Sequence, residues 1–436
     1  MIDGLYKRHK ETVHNFFWRN LQMFGRYGVS AVIFFAAAKL LSPEDFGLLN
    51  YLRTVFFLLM IFCDFGLSYA VSRFVTEYKV SGSEKLHRVT FTIVVFSVSI
   101  AALISAGVIL FGKPIFKANY IYILCFLPYL FLLPLTDILD GVYRGLKEFK
   151  KLAVISTIVG VVSIGISLFL INRYLLVGAI WSLNVMYLLL LLSLCGFQRN
   201  FRFEFDRTVL VEVLKYAVLL GIGAVTGFLY TRVSILILGQ FGYVVEVGYF
   251  GLIDSVFQLL FLPFGMLGQV IAPNTTAYIT VGNIAEVKYK VRKYLVLCAV
   301  AGVAMSVLLY FCAPVIVKTF LPKYCTANFI LIMNILILLV PFSVWGSLFN
   351  QGFVVAAGMA KIYLVISLVG GILNVILNYI FVSLFGFVGI FWVTVGLAAL
   401  STTAASVYFY IRIDAFVRNS FSHPKVSIEG LGEQIA

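Results

Sequence analysis

Long apolar stretches separated by short polar segments dominate the chain. Twelve of these stretches reach about 20 residues, the length that a helix needs to cross about 30 Å of hydrocarbon. Several exceed this length, so their ends are defined only to within a few positions. The predicted spans lie at 21–41, 46–72, 89–111, 119–139, 152–172, 174–196, 214–238, 247–272, 295–317, 327–357, 362–384 and 387–411.

Composition points to the same class of protein. The 436 residues are 62% hydrophobic and 12% charged, whereas ordinary soluble domains are about 25% charged. A single soluble core cannot bury so much apolar surface, so the chain must dissolve in a bilayer. The sequence therefore predicts an all-α polytopic membrane protein with about twelve transmembrane helices.

The two halves of the chain repeat. Asp140-Gly141 aligns without a gap with Gln351-Gly352, 211 residues further on, and Gly47 aligns with Gly248 at an offset of 201. Two long copies in an apolar chain are typical of transporters, since solenoids use many shorter repeats. Further pairs at the offset of 211 are Lys150 and Lys361, Gly160 and Gly371, Val177-Gly178 and Val388-Gly389, and Trp181 and Trp392.

This duplication predicts two six-helix lobes. The first covers residues 1–198 and begins with an interfacial segment, the second covers 199–412, and 413–436 form a cytoplasmic tail. Most of the 33 Lys and Arg fall in alternate loops if the N-terminus is cytoplasmic, which places both termini inside. Each half then begins and ends inside, so the repeats are parallel. Because the basic residues are spread over short inner loops, the net charge of +14 does not indicate a nucleic-acid partner.

Several functional classes are excluded by what the loops lack. The outer loops are only a few residues long, so no catalytic site can be built there and no enzyme is expected. No loop carries the GxxxxGK[ST] motif of ATP-driven pumps. All four histidines lie in inner loops or tails, and no cysteines are paired as CxxC. No metal site and no cofactor are therefore predicted.

Five of the charged residues inside predicted spans lie more than one helical turn from either end of their span. A charge that faces lipid costs at least a few kcal/mol, so such residues normally face a protein interior or a water-filled cavity. Arg53 and Asp254 occupy matching positions in the two halves. The alternative is an inert network of ion pairs, with Arg26 extending its side chain to the inner surface. The five residues are Arg26, Arg53, Asp64, Arg232 and Asp254.

Two runs of the sequence carry a family resemblance. The run from Leu40 to Tyr51 reads LLSPEDFGLLNY and is followed by Asp64-Phe65-Gly66-Leu67 and Arg73-Phe74. The segment from Asp140 to Phe149 reads DGVYRGLKEF. Both resemble bacterial polysaccharide repeat-unit flippases, the O-antigen (Wzx-type) branch of the multidrug/oligosaccharidyl-lipid/polysaccharide exporter superfamily. The likeness extends from about residue 14 to residue 412, and its motifs are loose patterns of glycine and charge.

The resemblance implies a function and a set of partners. The substrate would be an oligosaccharide linked through a diphosphate to a polyprenol, moved by alternating access from the cytoplasmic to the outer leaflet for surface polysaccharide assembly. The implied location is the bacterial inner membrane. Membrane lipids, a polysaccharide polymerase and chain-length machinery would be the other partners. Arginines in spans 1 and 2 are implicated in binding in related lipid-precursor flippases, and Arg26 and Arg53 occupy similar places.

The candidate roles follow from charge. Guanidinium groups can replace the hydration of a diphosphate with bidentate, charge-assisted hydrogen bonds. Arg26, Arg53 and Arg232 are therefore the predicted substrate-binding residues, and Asp254 and Asp64 are candidates for gating or ion coupling. Two alternatives stay open: export of drugs or other small molecules by the same fold, and a non-transporting scaffold for envelope assembly. Three arginines against two acids favour an anionic substrate.

Overall fold

The structure is a computed structural model that describes residues 17–196 and 203–420. All regular secondary structure in these two ranges is helical. The predicted interfacial segment falls mainly on residues 1–16 and so lies outside the described residues, as do most of the predicted tail and the predicted lobe boundary at 198. The last helix runs to Ser420, so the first residues of the predicted tail are helical.

The described ranges begin with a helical stretch over residues 17–23, and fifteen further α-helices follow it along the chain. We number them in order: α1 Val29–Leu40, α2 Pro43–Asp64, α3 Leu67–Ser81, α4 Lys85–Phe116, α5 Tyr120–Phe126, α6 Tyr129–Gly145, α7 Phe149–Gly196, α8 Arg207–Thr231, α9 Val233–Gln240, α10 Val244–Thr280, α11 Ile284–Phe320, α12 Ala327–Ile337, α13 Val340–Phe349, α14 Ala360–Phe385 and α15 Phe387–Ser420. Two π-helical segments, Phe24–Gly28 and Asn350–Val354, precede α1 and follow α13.

The predicted all-α membrane fold is confirmed. In the described ranges, 8 helical segments are long and apolar enough to cross a membrane, or 9 if the bent pair formed by α12 and Val340–Val354 counts as one span. Two of these segments, Lys85–Gly145 with 61 residues and Phe149–Gly196 with 48, are at least about twice as long as one crossing requires. Each of the twelve predicted spans lies on helix, and the exact number of crossings stays a prediction.

A tight reversal divides α7 into two antiparallel helices. Leu175 has φ 48° and ψ −124°, outside the helical region. Just beyond it, a Cβ on Gly178 would lie 1.9 Å from the carbonyl oxygen of Leu170. The two halves of α7 therefore touch backbone to backbone, and they correspond to predicted spans 5 and 6.

The same reversal recurs 211 residues later, between α14 and α15. Gly386 has φ 63° and ψ −154°, and a Cβ on Gly389 would lie 2.4 Å from the carbonyl oxygen of Phe381. These residues are the repeat partners of Leu175, Gly178 and Leu170. The duplication seen in the sequence thus has a counterpart in backbone geometry.

Local sequence explains where α2 begins and ends. Ser42 is the N-cap and accepts a hydrogen bond from the Asp45 amide at 3.1 Å, while Pro43 occupies the first turn. Phe65 and Gly66 adopt left-handed conformations with φ 38° and 81°. Glycine tolerates this conformation, and two such residues in succession end the helix. Predicted span 2 is therefore broken at this point, and α3 continues from it.

The chain divides into two compact units. One extends to Leu252 and includes Phe320–Tyr324, and the other comprises Ile253–Thr319 and the chain from Cys325 onward. In the first unit the first half of α8 packs on α3 and α4. The packing of these helices buries Leu67, Val71, Ile93, Val209 and Ala217. The division into lobes at residue 198 stays a prediction.

Polar contacts also fix α8 at its first turns. Glu212 accepts hydrogen bonds from the Tyr78 hydroxyl and the Lys85 ammonium, both at 2.7 Å. Asp206 caps the helix and accepts hydrogen bonds from the Thr208 hydroxyl and amide, and these bonds lower the pKa of the Asp206 carboxyl. The start of α8 is thereby anchored to the first unit.

Two repeat-related glycines contact each other in the first unit. A Cβ on Gly47 of α2 would lie 1.9 Å from the carbonyl oxygen of Val244, and one on Gly248 of α10 would lie 3.1 Å from the Gly47 Cα. Only glycine allows this approach of two helix backbones. The beginnings of α2 and α10 correspond to each other in the sequence repeat. They therefore cross where the repeat partners Gly47 and Gly248 meet.

The second unit has an aromatic core of its own. Trp345 and Phe349 stack with ring centroids 4.9 Å apart, and the edge of Phe409 lies against Phe349 at 5.4 Å. Trp345 Nε1 donates to the Ser406 hydroxyl at 2.8 Å. These contacts join α13 to α15.

We predict that Gly178→Ala and Gly389→Ala each destabilise the protein by at least about 2 kcal/mol, since the new methyl group would clash with a backbone carbonyl. Thermal unfolding in detergent measures the effect. Gly165→Ala is the matched control, because a Cβ at this position of α7 would meet no atom within 4 Å. Unchanged unfolding temperatures for both variants would contradict the paired reversals.

Candidate functional site

A largely apolar pocket lies inside the first unit between α1, α2 and the two halves of α7. Its polar lining consists of Arg53, Ser30 and Ser182. Both hydroxyls already donate to backbone carbonyls, Ser30 to Arg26 and Ser182 to Ala179. The guanidinium of Arg53 is therefore the main polar group that the pocket offers to a ligand. The apolar wall is formed by Ile33, Phe34, Ala37, Leu49, Ile171, Ala179 and Leu183.

Arg53 lies at the wall of this pocket on α2. Its guanidinium carbon is 5.5 Å from the centroid of the Phe34 ring, a cation–π contact that orients the group without neutralising its charge. Within the part of the chain that the structure describes, Arg53 has no hydrogen bond or ion pair. A half-buried cation without a counter-ion is electrostatically suited to bind an anion.

Arg26 lies in the π-helical segment Phe24–Gly28 and is paired. Its Nη2 donates to Asp137 Oδ1 of α6 at 2.6 Å, and its guanidinium lies over the Tyr187 ring at 5.5 Å. The side chain of Arg26 is 14% exposed and that of Asp137 is 27% exposed. A π-helical turn shifts the register of a helix and is frequent at functional sites.

The Arg26–Asp137 pair adjoins the pocket. Arg26 precedes Ser30 by four residues, and Tyr187 follows the lining residue Leu183 by four, so each lies one helical turn from the pocket wall. The edge of Tyr129 lies against the Tyr187 ring, over which Arg26 is placed, with ring centroids 5.4 Å apart. The structure therefore places two of the predicted binding residues at one site, with Arg53 in the pocket wall and Arg26 one helical turn from it.

A second acid lies one turn further along α6. Asp140 accepts a hydrogen bond from Gln22 Nε2 at 2.7 Å, and its other oxygen lies 2.7 Å from Arg144 Nε and 3.6 Å from Arg19 Nη1. Asp140 is only 4% exposed. The hydrogen bond from Gln22 therefore joins α6 to the helical stretch that contains Gln22.

Sequence reasoning missed the roles of Asp137 and Asp140. Both lie at the inner end of predicted span 4, where acids are common in loops, and the sequence marks Asp140 only as part of the repeat. The available signal was spacing, because Asp137, Asp140 and Arg144 at i, i+3 and i+7 share one face of a helix. Arg19, Gln22 and Arg26 have the same spacing on the facing segment.

Arg232 lies at the break between α8 and α9, with φ −121° and ψ −17°. It is not among the residues that line the pocket. On one side of it Phe228 stacks on Phe57 with centroids 6.0 Å apart, and on the other a Cβ on Gly239 would meet the Tyr51 ring. The residues on either side of Arg232 therefore contact α2 at Phe57 and Tyr51, and these two residues flank Arg53 in the sequence.

The two predicted coupling acids have different surroundings. Asp64, the last residue of α2, accepts hydrogen bonds from the Gly66 amide at 3.2 Å and from the Ser68 amide and hydroxyl at 3.1 and 3.3 Å, so it holds the turn that leads into α3. Asp254 belongs to the second unit and accepts a hydrogen bond from Gln258 at 2.7 Å. A coupling role for either acid stays a prediction.

Comparison with known proteins assigns the family. Residues 12–279 match the family model described as "Polysaccharide biosynthesis protein", which is more than half of the chain and includes all five candidate residues. The chain belongs to the polysaccharide biosynthesis protein family. A search among curated proteins found no match to this chain.

Solved structures of several transporters and of a flippase have a fold similar to that of this chain. A multidrug resistance MATE family transporter of the MOP superfamily, in an inward-facing conformation, matches with a TM-score of 0.74 at 15% identity, covering 93% of this chain and 99% of that one. The lipid II flippase MurJ, in an inward closed conformation, matches with a TM-score of 0.69 at 18% identity, covering 93% and 90%. A MOP superfamily transporter from Pyrococcus furiosus matches with a TM-score of 0.56 at 14% identity, covering 91% and 95%.

Metal binding has no support in the ranges that the structure describes. No group of three His, Cys, Asp or Glu side chains there could hold an ion. Among the side chains that line the pocket, Arg53 carries the charge.

We predict that Asp64→Ala destabilises the protein by about 1 kcal/mol, because it removes the acceptor of three hydrogen bonds at the start of α3. Asp64→Asn keeps one acceptor oxygen and should lose less stability. Thermal unfolding of both variants measures this. A coupling role would require something more, namely that folded Asp64→Asn changes the dependence of transport on pH or sodium.

Proposed function

We propose that this protein is a flippase for a polyprenyl-diphosphate-linked oligosaccharide. It would take the substrate from the cytoplasmic leaflet of the bacterial inner membrane and release it to the outer leaflet by alternating access, for assembly of a surface polysaccharide. The observation that carries the proposal is the guanidinium of Arg53, without a counter-ion among the described residues, in an apolar pocket between membrane helices.

The charge of the site supports an anionic substrate. Among the described residues, no carboxylate lines the pocket, and the carboxylate that adjoins it, Asp137, is engaged by Arg26. The lining therefore carries a positive charge from Arg53. An exporter of organic cations would be served better by a free acid in its pocket, so the multidrug alternative has less support from these residues.

The substrate chemistry fits this arrangement. A diphosphate must lose much of its hydration to enter the membrane interior, and a guanidinium replaces water with two parallel hydrogen bonds. The apolar wall around Arg53 lowers the local dielectric constant and strengthens that interaction. The polyprenol tail can remain in the bilayer while the charged group reaches Arg53, in a conformation that opens the pocket beyond its present free volume of about 20 Å³.

Membership in the polysaccharide biosynthesis protein family supports the glycan part of the proposal. The flippase and transporter functions of the structurally similar proteins belong to those proteins, and at 14–18% identity the likeness concerns the fold. A polysaccharide polymerase and chain-length machinery would use the product at the outer leaflet. The protein itself would catalyse no covalent step.

We expect Arg53→Ala to lower the initial rate of translocation by at least about tenfold, the effect of losing a charge-assisted hydrogen bond. The measurement is protein-dependent movement of a lipid-diphosphate-linked oligosaccharide in proteoliposomes. Arg53→Lys should fall between wild type and Arg53→Ala, because it keeps the charge and loses the bidentate geometry.

Arg73→Ala is the matched control for this experiment. Arg73 is on the neighbouring helix α3, is 54% exposed and has Glu77 within 4.0 Å, so its removal should leave transport unchanged. Equal rates for Arg53→Ala and Arg73→Ala would contradict a binding role for Arg53. Efflux of organic cations without movement of any lipid-linked glycan would favour the drug-export alternative.

Arg232 and Asp254 remain proposed as a further binding residue and a gating residue. Arg232→Ala should slow translocation, and Asp254→Asn should slow it if release of an ion pair accompanies the conformational change. Both are measured in the same proteoliposome assay at matched protein levels. Full transport by Asp254→Asn would remove the gating role.

A further inference from the structure

In the ion pair between Arg26 and Asp137, the Asp137 carboxylate has fewer contacts than the Arg26 guanidinium. Within the described ranges, the only hydrogen bond of the Asp137 carboxylate is the single one from Arg26 Nη2 to Oδ1. Asp140, on the same helix, has Gln22, Arg144 and Arg19 around it. Asp137 is also more exposed, at 27% of its side chain against 6% for Asp140. Asp140 is therefore locked in place, whereas Asp137 can leave its partner at the cost of one contact.

Arg26 is held independently of that acid. The Tyr187 ring lies under its guanidinium at 5.5 Å, and the backbone of its π-helical turn packs closely on the first half of α7, where a Cβ on Gly25 would lie 3.0 Å from the Thr157 hydroxyl. Arg26 would therefore remain in position if Asp137 moved away. An anion that arrives from the pocket, one helical turn away, could take the place of the carboxylate.

We propose that Asp137 is an exchangeable internal counter-ion, which occupies Arg26 in the empty protein and is displaced from it by the second phosphoryl group of a diphosphate bound at Arg53. This inference rests on the proposed function and adds a residue and a step to it. The displaced carboxylate returns to Arg26 when the ligand leaves. In the empty site, Asp137 thereby compensates the buried charge of Arg26. When a diphosphate is bound, competition from the Asp137 carboxylate limits how tightly it is held.

This exchange distinguishes ligands by the number of their phosphoryl groups. A monophosphate needs only Arg53 and leaves the Arg26–Asp137 pair intact. A diphosphate reaches both arginines but must break the pair. Removing the negative charge of Asp137 should therefore tighten diphosphate binding and leave monophosphate binding nearly unchanged.

The experiment measures binding of farnesyl diphosphate and farnesyl monophosphate to the full-length protein in detergent by titration calorimetry. Asp137→Asn should bind the diphosphate about tenfold more tightly than wild type does, the factor that corresponds to one hydrogen bond with a charged group. Its affinity for the monophosphate should change less than about twofold. Thermal unfolding gives a second readout, since the diphosphate should raise the unfolding temperature more in Asp137→Asn than in wild type.

Two further variants make the test specific. Glu212→Gln removes another carboxylate of the same unit that is held by hydrogen bonds of 2.7 Å, and it should leave both affinities unchanged. Arg26→Gln removes the site of exchange, so it should bind the diphosphate no better than the monophosphate. The double variant Arg26→Gln/Asp137→Asn should behave like Arg26→Gln.

The outcomes separate this inference from the proposed function. If wild type binds the diphosphate and depends on Arg53, but folded Asp137→Asn binds it equally or more weakly, Asp137 is a structural partner of Arg26 and the inference is wrong. A diphosphate preference that survives in Arg26→Gln would also overturn it, even if Asp137→Asn does not fold. If wild type binds neither ligand, the proposed function fails and the inference fails with it.

Discussion

The cost of an uncompensated charge in a low-dielectric interior governs the first unit of this protein. Each buried charge there must be paired, hydrogen-bonded or available to a ligand. Asp140 is surrounded by Gln22, Arg144 and Arg19, Arg26 is paired with Asp137, and Asp64 holds the turn that leads into α3. Arg53 departs from this pattern, because Phe34 orients its guanidinium without neutralising it. That departure is the reason for proposing the pocket as the functional site.

Backbone contacts position the elements around this pocket. A membrane helix satisfies its own backbone polar groups, so its packing depends on how closely neighbouring helices approach. Gly178 allows the two halves of α7 to touch, and Gly25 brings the π-helical turn against α7. These contacts hold Ser182 and Leu183 opposite α1 and α2, so that the pocket lies between rigid helices and the guanidinium at its wall is preorganised.

Fold and site make different contributions to the functional conclusion. The same architecture occurs in a multidrug transporter and in a lipid II flippase at 15% and 18% identity, so the architecture does not select the substrate. The family match assigns the chain to polysaccharide biosynthesis, and the positive lining of the pocket supports an anionic carrier. The diphosphate of a lipid-linked oligosaccharide satisfies both.

The sequence alone determined the positions of the membrane helices, the duplication and two residues of the proposed site. Apolar length and the rarity of charges within spans are local properties, and a repeat is found by aligning the chain with itself, so the sequence suffices to place Arg26 and Arg53 among five candidates. The partners of these arginines depend on which helix faces lie opposite each other. Asp137 comes from a helix 111 residues beyond Arg26, and Asp64 proved to be engaged by the turn that follows it. Only tertiary packing decided that, among the described residues, Arg26 has a counter-ion and Arg53 has none, because neither spacing nor composition records which side chains meet across a bundle.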